Sequence, residues 1–235
     1  MREITDFEVK INTQFIDKDL LKMAFTHRSY INEHPNLNLQ HNERLEFLGD
    51  AVLELIATEE LFERFPHVPE GDLTAYRAAL VNTNSLAETA SELKLSDFLL
   101  LSKGESKDVG KGRTHILANT FEAVTGALYL DQGYEVTKNF LKKFLFPKIT
   151  NIVEQKLYRD AKSLVQEIAQ EKLSVTPAYQ ILQQKGPDHD KQFTAGVFFG
   201  DDLAAQGQGA SKQEAEQAAA RKALEERGWI EEDVE

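Results

Sequence analysis

The sequence predicts two units of different class: a mainly α N-terminal domain, then a small α+β domain with the order α-β-β-β-α. Three observations predict it. Two long stretches, 41–55 and 116–130, carry apolar residues at helical spacing almost all round. Phe193, Ala195, Val197 and Phe199 alternate between two turn signals, as a strand with one covered face does. Between 154 and 160 the apolar periodicity lapses, where a linker belongs. The expected layout is therefore a helical domain over 1–155, a linker over 156–160, the small domain over 161–229 and an acidic tail over 230–235.

At 235 residues the chain is long enough to bury two modest cores. It contains no cysteine, which removes disulfide partners, thiolate nucleophiles and cysteine zinc sites and is compatible with a reducing cytoplasm. No apolar run approaches a membrane span, and the opening MREITDFEVK lacks a signal-peptide core, so a cytoplasmic protein without membrane contact is expected.

The first element is a helix with the apolar band Leu20, Leu21, Met23, Ala24 and Phe25, capped by Asp17. THRSY (26–30) leads into a polar loop marked by His34, Pro35, Asn36 and Asn38. His27 and His41 have no Ser or Cys in a nucleophile setting nearby, so packing or capping roles suit them better than catalysis. The central helix begins at about His41 or Asn42. With about 3.6 residues per turn, Glu43, Glu46, Asp50 and Glu54 form one stripe, with Leu45, Leu48, Val52, Leu55 and Ile56 opposite. Phe47 and Leu53 flank the acids, so this helix is expected to run through a core.

Clustered carboxylates in such a setting need a remedy. Two like charges about 4 Å apart repel by roughly 4 kcal/mol at an effective dielectric near 20. The group must take up protons, spread apart or hold a cation, and magnesium is the simplest answer. After the breaks at Pro66 and at VPEGD (68–72), a helix starts with Leu73, Tyr76, Ala79 and Leu80, and another covers about 83–93. KGESKDVGKGR (103–113), with Lys103, Lys107, Lys111 and Arg113, reads as a mobile basic loop, either merely solvated or touching phosphates.

The stretch 116–130 supplies the other half of a site. Asn119 and Glu122, three residues apart, project to one side. With Glu46 and Asp50 they make an oxygen-only shell, which suits magnesium or manganese and disfavours zinc. Gly49 and Gly126 allow the two helices close backbone approach.

In the small domain Asp160 caps a helix over 161–170, and 178–182 is the first strand. Residues 186–189 turn the chain, the alternating strand follows, 200–202 turn it again, and 203–208 is the third strand. Ser211 and Glu214 form a capping box for a closing alanine-rich helix.

These residues carry a family resemblance. ERLEFLGDAVLEL (43–55) closely resembles the signature of bacterial ribonuclease III, and ILANTFEAVTGALYLD (116–131) resembles that family's second catalytic helix. AFTHRSY (24–30) and PEGDLTAYRAALVN (69–82) resemble further family segments. DAKSLVQEIAQ, GPDHDKQF and GASKQEAEQAAARKAL resemble a double-stranded-RNA-binding domain. The resemblance covers essentially the whole chain.

It implies a metal site of Glu46, Asp50, Asn119 and Glu122, with Asp50 and Glu122 catalytic and Glu43 and Glu70 as accessory acids. Asn119 stands where an acid is expected in many members. An amide oxygen still coordinates magnesium but brings no charge and cannot act as a base. Three readings follow: a tolerated natural variant, an inactivating engineered change, or a double-stranded-RNA-binding protein that no longer cleaves. The resemblance favours an active enzyme, hydrolysing phosphodiester bonds with one cation on the quartet and a second held largely by substrate, giving 5′-phosphate products with short 3′ overhangs. It also implies that Gln166 and Glu167 meet one minor groove, His189 the next, and Ser211 with Lys212 the phosphates between.

The net charge of -12 argues at face value against a nucleic-acid partner. A-form duplexes, however, are read by shape, 2′-hydroxyls and phosphates, so a few placed cations such as Lys185, Lys191, Lys212 and Lys222 suffice. Gln213, where the family often has a second Lys, points to modest phosphate affinity. The resemblance further implies a homodimer, whose two sites face one duplex, and as substrates ribosomal and transfer RNA precursors and structured messages.

Overall fold

The computed structural model describes residues 4–37, 39–107, 110–158, 160–187 and 191–230. His189, most of the acidic tail, residues 108 and 109 and the side chains of Lys107 and Lys111 lie outside the described residues. The chain forms two compact units, Met1–Thr150 and Asn151–Glu235.

The first unit is helical: α1 (Ile4–Ile11), α2 (Lys18–Ala24), α3 (Arg28–Glu33), α4 (Glu43–Arg64), α5 (Glu70–Leu80), α6 (Thr83–Glu92), α7 (Lys111–Gln132) and α8 (Tyr134–Phe144). Then α9 (Lys148–Glu154) carries the chain out of it. Asp17 caps α2 through the Asp19 N–H, as expected. His27 has the capping role expected of it, accepting from the Ser29 N–H, and Arg28 opens a short helix, α3, ahead of the polar loop. Arg113 belongs to the first turns of α7 and not to a loop. The polar first turn of α7 carries little apolar period, so the basic run reads as loop up to Arg113.

At the centre, α4 lies on α7. Leu45, Val52, Leu53 and Ile56 of one and Phe121, Val124 and Leu128 of the other are buried. Their backbones nearly touch. A methyl group at Gly49 would stand 1.8 Å from the Glu122 carbonyl oxygen, and one at Gly126 would stand 2.3 Å from that of Leu45. No other residue fits either position, and the roughly 1 kcal/mol that a helical Gly costs relative to Ala is offset by this contact.

The expectation that α4 is covered all round is overturned. Phe47, Leu55 and Phe62 are 82%, 59% and 72% exposed, forming an apolar stripe along one side of the helix. Hydropathy says that a face avoids water without saying what covers it.

The second unit holds α10 (Ala161–Leu173), β1 (Ala178–Lys185), β2 (Gln192–Phe199), β3 (Asp202–Gly209) and α11 (Lys212–Glu226). The strands form an antiparallel sheet in the order β1-β2-β3. Phe193, Ala195, Val197 and Phe199 all face the core with Leu164, Val165 and Ile168 of α10 and Ala215, Ala219 and Ala223 of α11. The alanines of α11 are there for contact: a methyl at Gly207 would lie 2.1 Å from the Ala219 nitrogen. Asp160 caps α10 through the Ser163 N–H. Both flanking strands run longer than expected, because the sheet's register continues past the apolar residues that mark it.

Candidate functional site

The start of α4 is fixed before any acid appears on it. Asn42, buried at 2% exposure, receives no side-chain cap role; its backbone N–H donates to the Thr26 carbonyl and its side chain donates to that of Ala24. This locks the helix to the α2 end and so sets the rotation at which Glu43, Glu46 and Asp50 project. The Gly49–Gly126 crossing then sets the level of α7 against α4, bringing Asn119 and Glu122 alongside.

The quartet is electrostatically one group. The Asn119 side chain hydrogen-bonds Glu46, while burial and the charges of Glu43 and Asp50 push the Glu46 carboxyl above its ordinary value. Glu122 is affected more. Burial, with the negative charges of Asp50 and Glu46 beside it, raises its carboxyl to about 7. Glu46, Asn119 and Glu122 are half-buried and Asp50 is exposed, so the group opens to solvent on one side.

The donor set is carboxylate and amide oxygen, the chemistry of a hard divalent cation, and Glu122, raised by burial with Asp50 and Glu46 beside it, is a carboxyl at which a cation can take the place of a proton. Among the described residues, no three His, Asp or Glu side chains are drawn in around one point as ligands of a single ion.

The other acids on α4 are taken up elsewhere. Glu54 pairs with Arg77 at 2.9 Å, so it does not join the quartet although it shares the stripe. Glu43 lies at the rim, 3.5 Å from an Arg28 nitrogen and 3.6 Å from His41 Nδ1. Glu70 opens α5, accepts from the Thr74 hydroxyl at 3.3 Å and is exposed. It lines an apolar cavity of about 470 Å³ with Leu61, Phe62, Val68 and Leu73.

Glu105 went unread in the sequence because lysines surround it. It lies near enough to His27 to act on that ring, whose pKa is lowered by burial, against the opposing charges of Glu105 and Glu43, with His41 adding to the lowering. Acids standing within a basic run, Glu105 and Asp108, were the available signal.

In the second unit Gln166 and Glu167 stand exposed on α10. Ser211 caps α11, accepting from the Glu214 N–H at 3.1 Å, and Lys212 is exposed on its first turn. The return bond of the capping box is displaced by one residue: Glu214 accepts from the Ala210 N–H at 3.0 Å. Lys222 is paired with Glu226 at 3.6 Å, which reduces what it offers a phosphate.

Comparison with known proteins follows the same division. Residues 17–149 match the ribonuclease-III-like family and residues 161–227 match the double-stranded RNA binding motif. The chain is 45% identical to Ribonuclease 3 of Enterococcus faecalis over 221 residues, 94% of this chain and 95% of that one. It is 47% identical to Ribonuclease 3 of Bacillus cereus over 218 residues, 93% and 89% of the two chains. Among solved structures, the nuclease domain of ribonuclease III from Campylobacter jejuni is similar, with a TM-score of 0.56 and 41% identity over 62% of this chain and 97% of that domain. That structure is described as showing flexibility in a region involved in dimer formation. No helix among the described residues is long and apolar enough to cross a membrane.

Proposed function

Because the chain belongs to the ribonuclease III family, and is thus an endoribonuclease of double-stranded RNA, we propose that Glu46, Asp50, Asn119 and Glu122 form its cutting centre, working with a bound magnesium or manganese ion. The observation that carries this is the raised Glu122 carboxyl, held near 7 by burial and by Asp50 and Glu46. Such a group favours either a proton or a cation. Bound there, a divalent ion supplies activation of water and neutralisation of charge on the phosphodiester.

The chain's own part is positioning. Asp50 and Glu122 bring ionised oxygens from two helices whose separation is fixed by glycines, so the ligand geometry is set by backbone contact and not by flexible loops. Asn119 contributes a neutral oxygen to the ion and, through its N–H, a hydrogen bond that steadies Glu46. Glu43 acts at the rim; Glu70, beside Leu61 and Phe62 at the other end of α4, is an accessory acid that this chain alone does not bring to the quartet. The hydrolysis leaves 5′-phosphate fragments with short 3′ overhangs, and the substrates we assign are ribosomal and other RNA precursors in the cytoplasm. We take the functional layout as a nuclease domain over 1–155, a linker, and an RNA-binding domain over 161–229.

The α11 N-terminus offers free backbone N–H groups and the positive end of a helix dipole to a phosphate, with Lys212 adding charge. Gln166 and Glu167 suit a minor groove. A homodimer accounts for the exposed stripe of Phe47, Leu55 and Phe62 and gives two cutting centres for two strands.

The test is incubation of the purified chain with a long RNA duplex, with and without magnesium, and resolution of products on a denaturing gel. Short 5′-phosphorylated fragments only with magnesium are expected; Glu122→Gln abolishes them and leaves the mobility shift. Asn119→Asp is expected to lower the magnesium concentration needed. Intact RNA with a mobility shift would make the protein a binder, and cleavage by the Glu122→Gln variant would overturn the site.

A further inference from the structure

In the second unit a polar cavity of about 460 Å³ opens between α10, the start of β1 and the first turns of α11. Gln166, Tyr179 and Gln213 line it together with Asp160, Lys162 and Gln217. Its volume is within the range of small-molecule sites and large enough for a nucleoside.

Its chemistry is unspent. The Tyr179 hydroxyl is shielded from water and has no hydrogen-bond partner among the described residues, an arrangement that native proteins rarely leave without use. Gln166 and Gln213 are both exposed, and each primary amide presents a donor and an acceptor side by side. Two lining side chains are engaged with neighbours and give up those contacts when a ligand reaches the phenol: Lys162 pairs with Glu216 at 2.6 Å and lies 4.6 Å from the centre of the Tyr179 ring, and Gln217 donates to Asp160.

Position decides the ligand. Gln166 is the residue assigned to a minor groove and Gln213 directly follows the phosphate-facing Lys212, so the cavity opens between two expected RNA contacts. A paired base stays in its stack and cannot enter. An unpaired one, with a free hydrogen-bonding edge, matches two amides and a phenol. We propose that this cavity receives a single unpaired nucleobase turned out of an RNA duplex beside the bound minor groove, making bulged or mismatched positions a feature by which substrates are selected.

This rests on the second unit being the RNA-binding module, and the test separates the two. The full chain, in EDTA so that RNA stays intact, is titrated with a fully paired RNA duplex and with the same duplex carrying one bulged 2-aminopurine. About tenfold tighter binding of the bulged duplex is expected, with a change in 2-aminopurine fluorescence. Tyr179→Phe keeps the ring and Gln213→Ala is a surface change; each is expected to reduce the preference to about threefold or less while leaving affinity for the paired duplex unchanged. Equal affinity of the unaltered chain for both duplexes, or a preference that survives both substitutions, would overturn the cavity's role. Failure to bind the paired duplex would instead overturn the RNA-binding reading beneath it.

Discussion

Where α4 crosses α7, burial and neighbouring negative charges raise the carboxyls of Glu46 and Glu122, with the Asn119 amide as their polar neighbour. Where α11 begins, by contrast, each polar group is either satisfied locally, as Ser211 and Glu214 are, or left exposed as Lys212 is. The first arrangement is locally unfavourable and survives because packing around it is rigid. The second is what an isolated helix would choose for itself. The difference teaches where ligand dependence should appear: a strained cluster gains stability from its ligand, whereas a relaxed surface gains affinity without needing the ligand to fold.

The sharpest way to break the first arrangement is at its glycines. Gly49→Ala places a methyl group against backbone, 1.8 Å from the Glu122 carbonyl oxygen, and no side-chain rotation relieves that. The helices must move apart, at the upper end of overpacking costs, about 3 kcal/mol. Denaturant unfolding followed by far-UV circular dichroism checks the loss, and cleavage should fall with it. Binding of duplex RNA by the second unit should persist, since that unit has a core of its own. Equal loss of both activities would show that the two regions are not independent.

A milder test is pH. Glu122 in the folded chain titrates near 7, against 4.5 when unfolded. Between those values the folded state holds a proton that the unfolded state has released, so stability is expected to fall as pH rises from about 4.5 to about 7. Glu46, also raised, adds in the same direction, while His27, lowered, acts against it, so the contribution of Glu122 is the difference between the unaltered chain and Glu122→Gln. Thermal melts in EDTA should show this decline, Glu122→Gln should flatten it, and magnesium at pH 7 should reverse it, because the cation replaces the proton. A pH dependence in EDTA that is the same in Glu122→Gln as in the unaltered chain would contradict the electrostatic account.

How much of this was legible in the sequence follows from the same contrast. Asp17, Asp160 and Ser211 were readable as caps because a cap is a local event within four residues. Phe193 to Phe199 was readable as a strand because alternation is local too. The pairing of Asn119 and Glu122 with Glu46 and Asp50 was reached from spacing within each helix, and Gly49 and Gly126 hinted at the crossing. What the residues did not disclose was long-range: that Arg77 takes Glu54, that Asn42 anchors α4 to the end of α2, and that Phe47 and Phe62 face outward. The first two depend on partners distant in the chain, and the last on which side of α4 the rest of the unit covers, and no local pattern encodes that.

The smallest effect is expected from the relaxed region. Ser211→Ala removes the hydroxyl that accepts from the Glu214 N–H, leaving one more unsatisfied donor at the helix start. Loss of such a cap costs about 1 kcal/mol, felt in the second unit alone. Fraying of the first turn also misplaces Lys212 and the backbone N–H groups beside it, so duplex affinity should fall by a few fold and its salt dependence should weaken. Gly at 211 is expected to recover most of the stability, because it is itself a tolerated cap, but not the affinity if the hydroxyl touches phosphate. Melting of the two variants alongside salt-dependent binding therefore separates the hydroxyl's structural role from its contact with RNA. A cleavage rate at saturating RNA that stays unchanged in both would keep the effect where the comparison puts it, in binding and not in the carboxylate cluster.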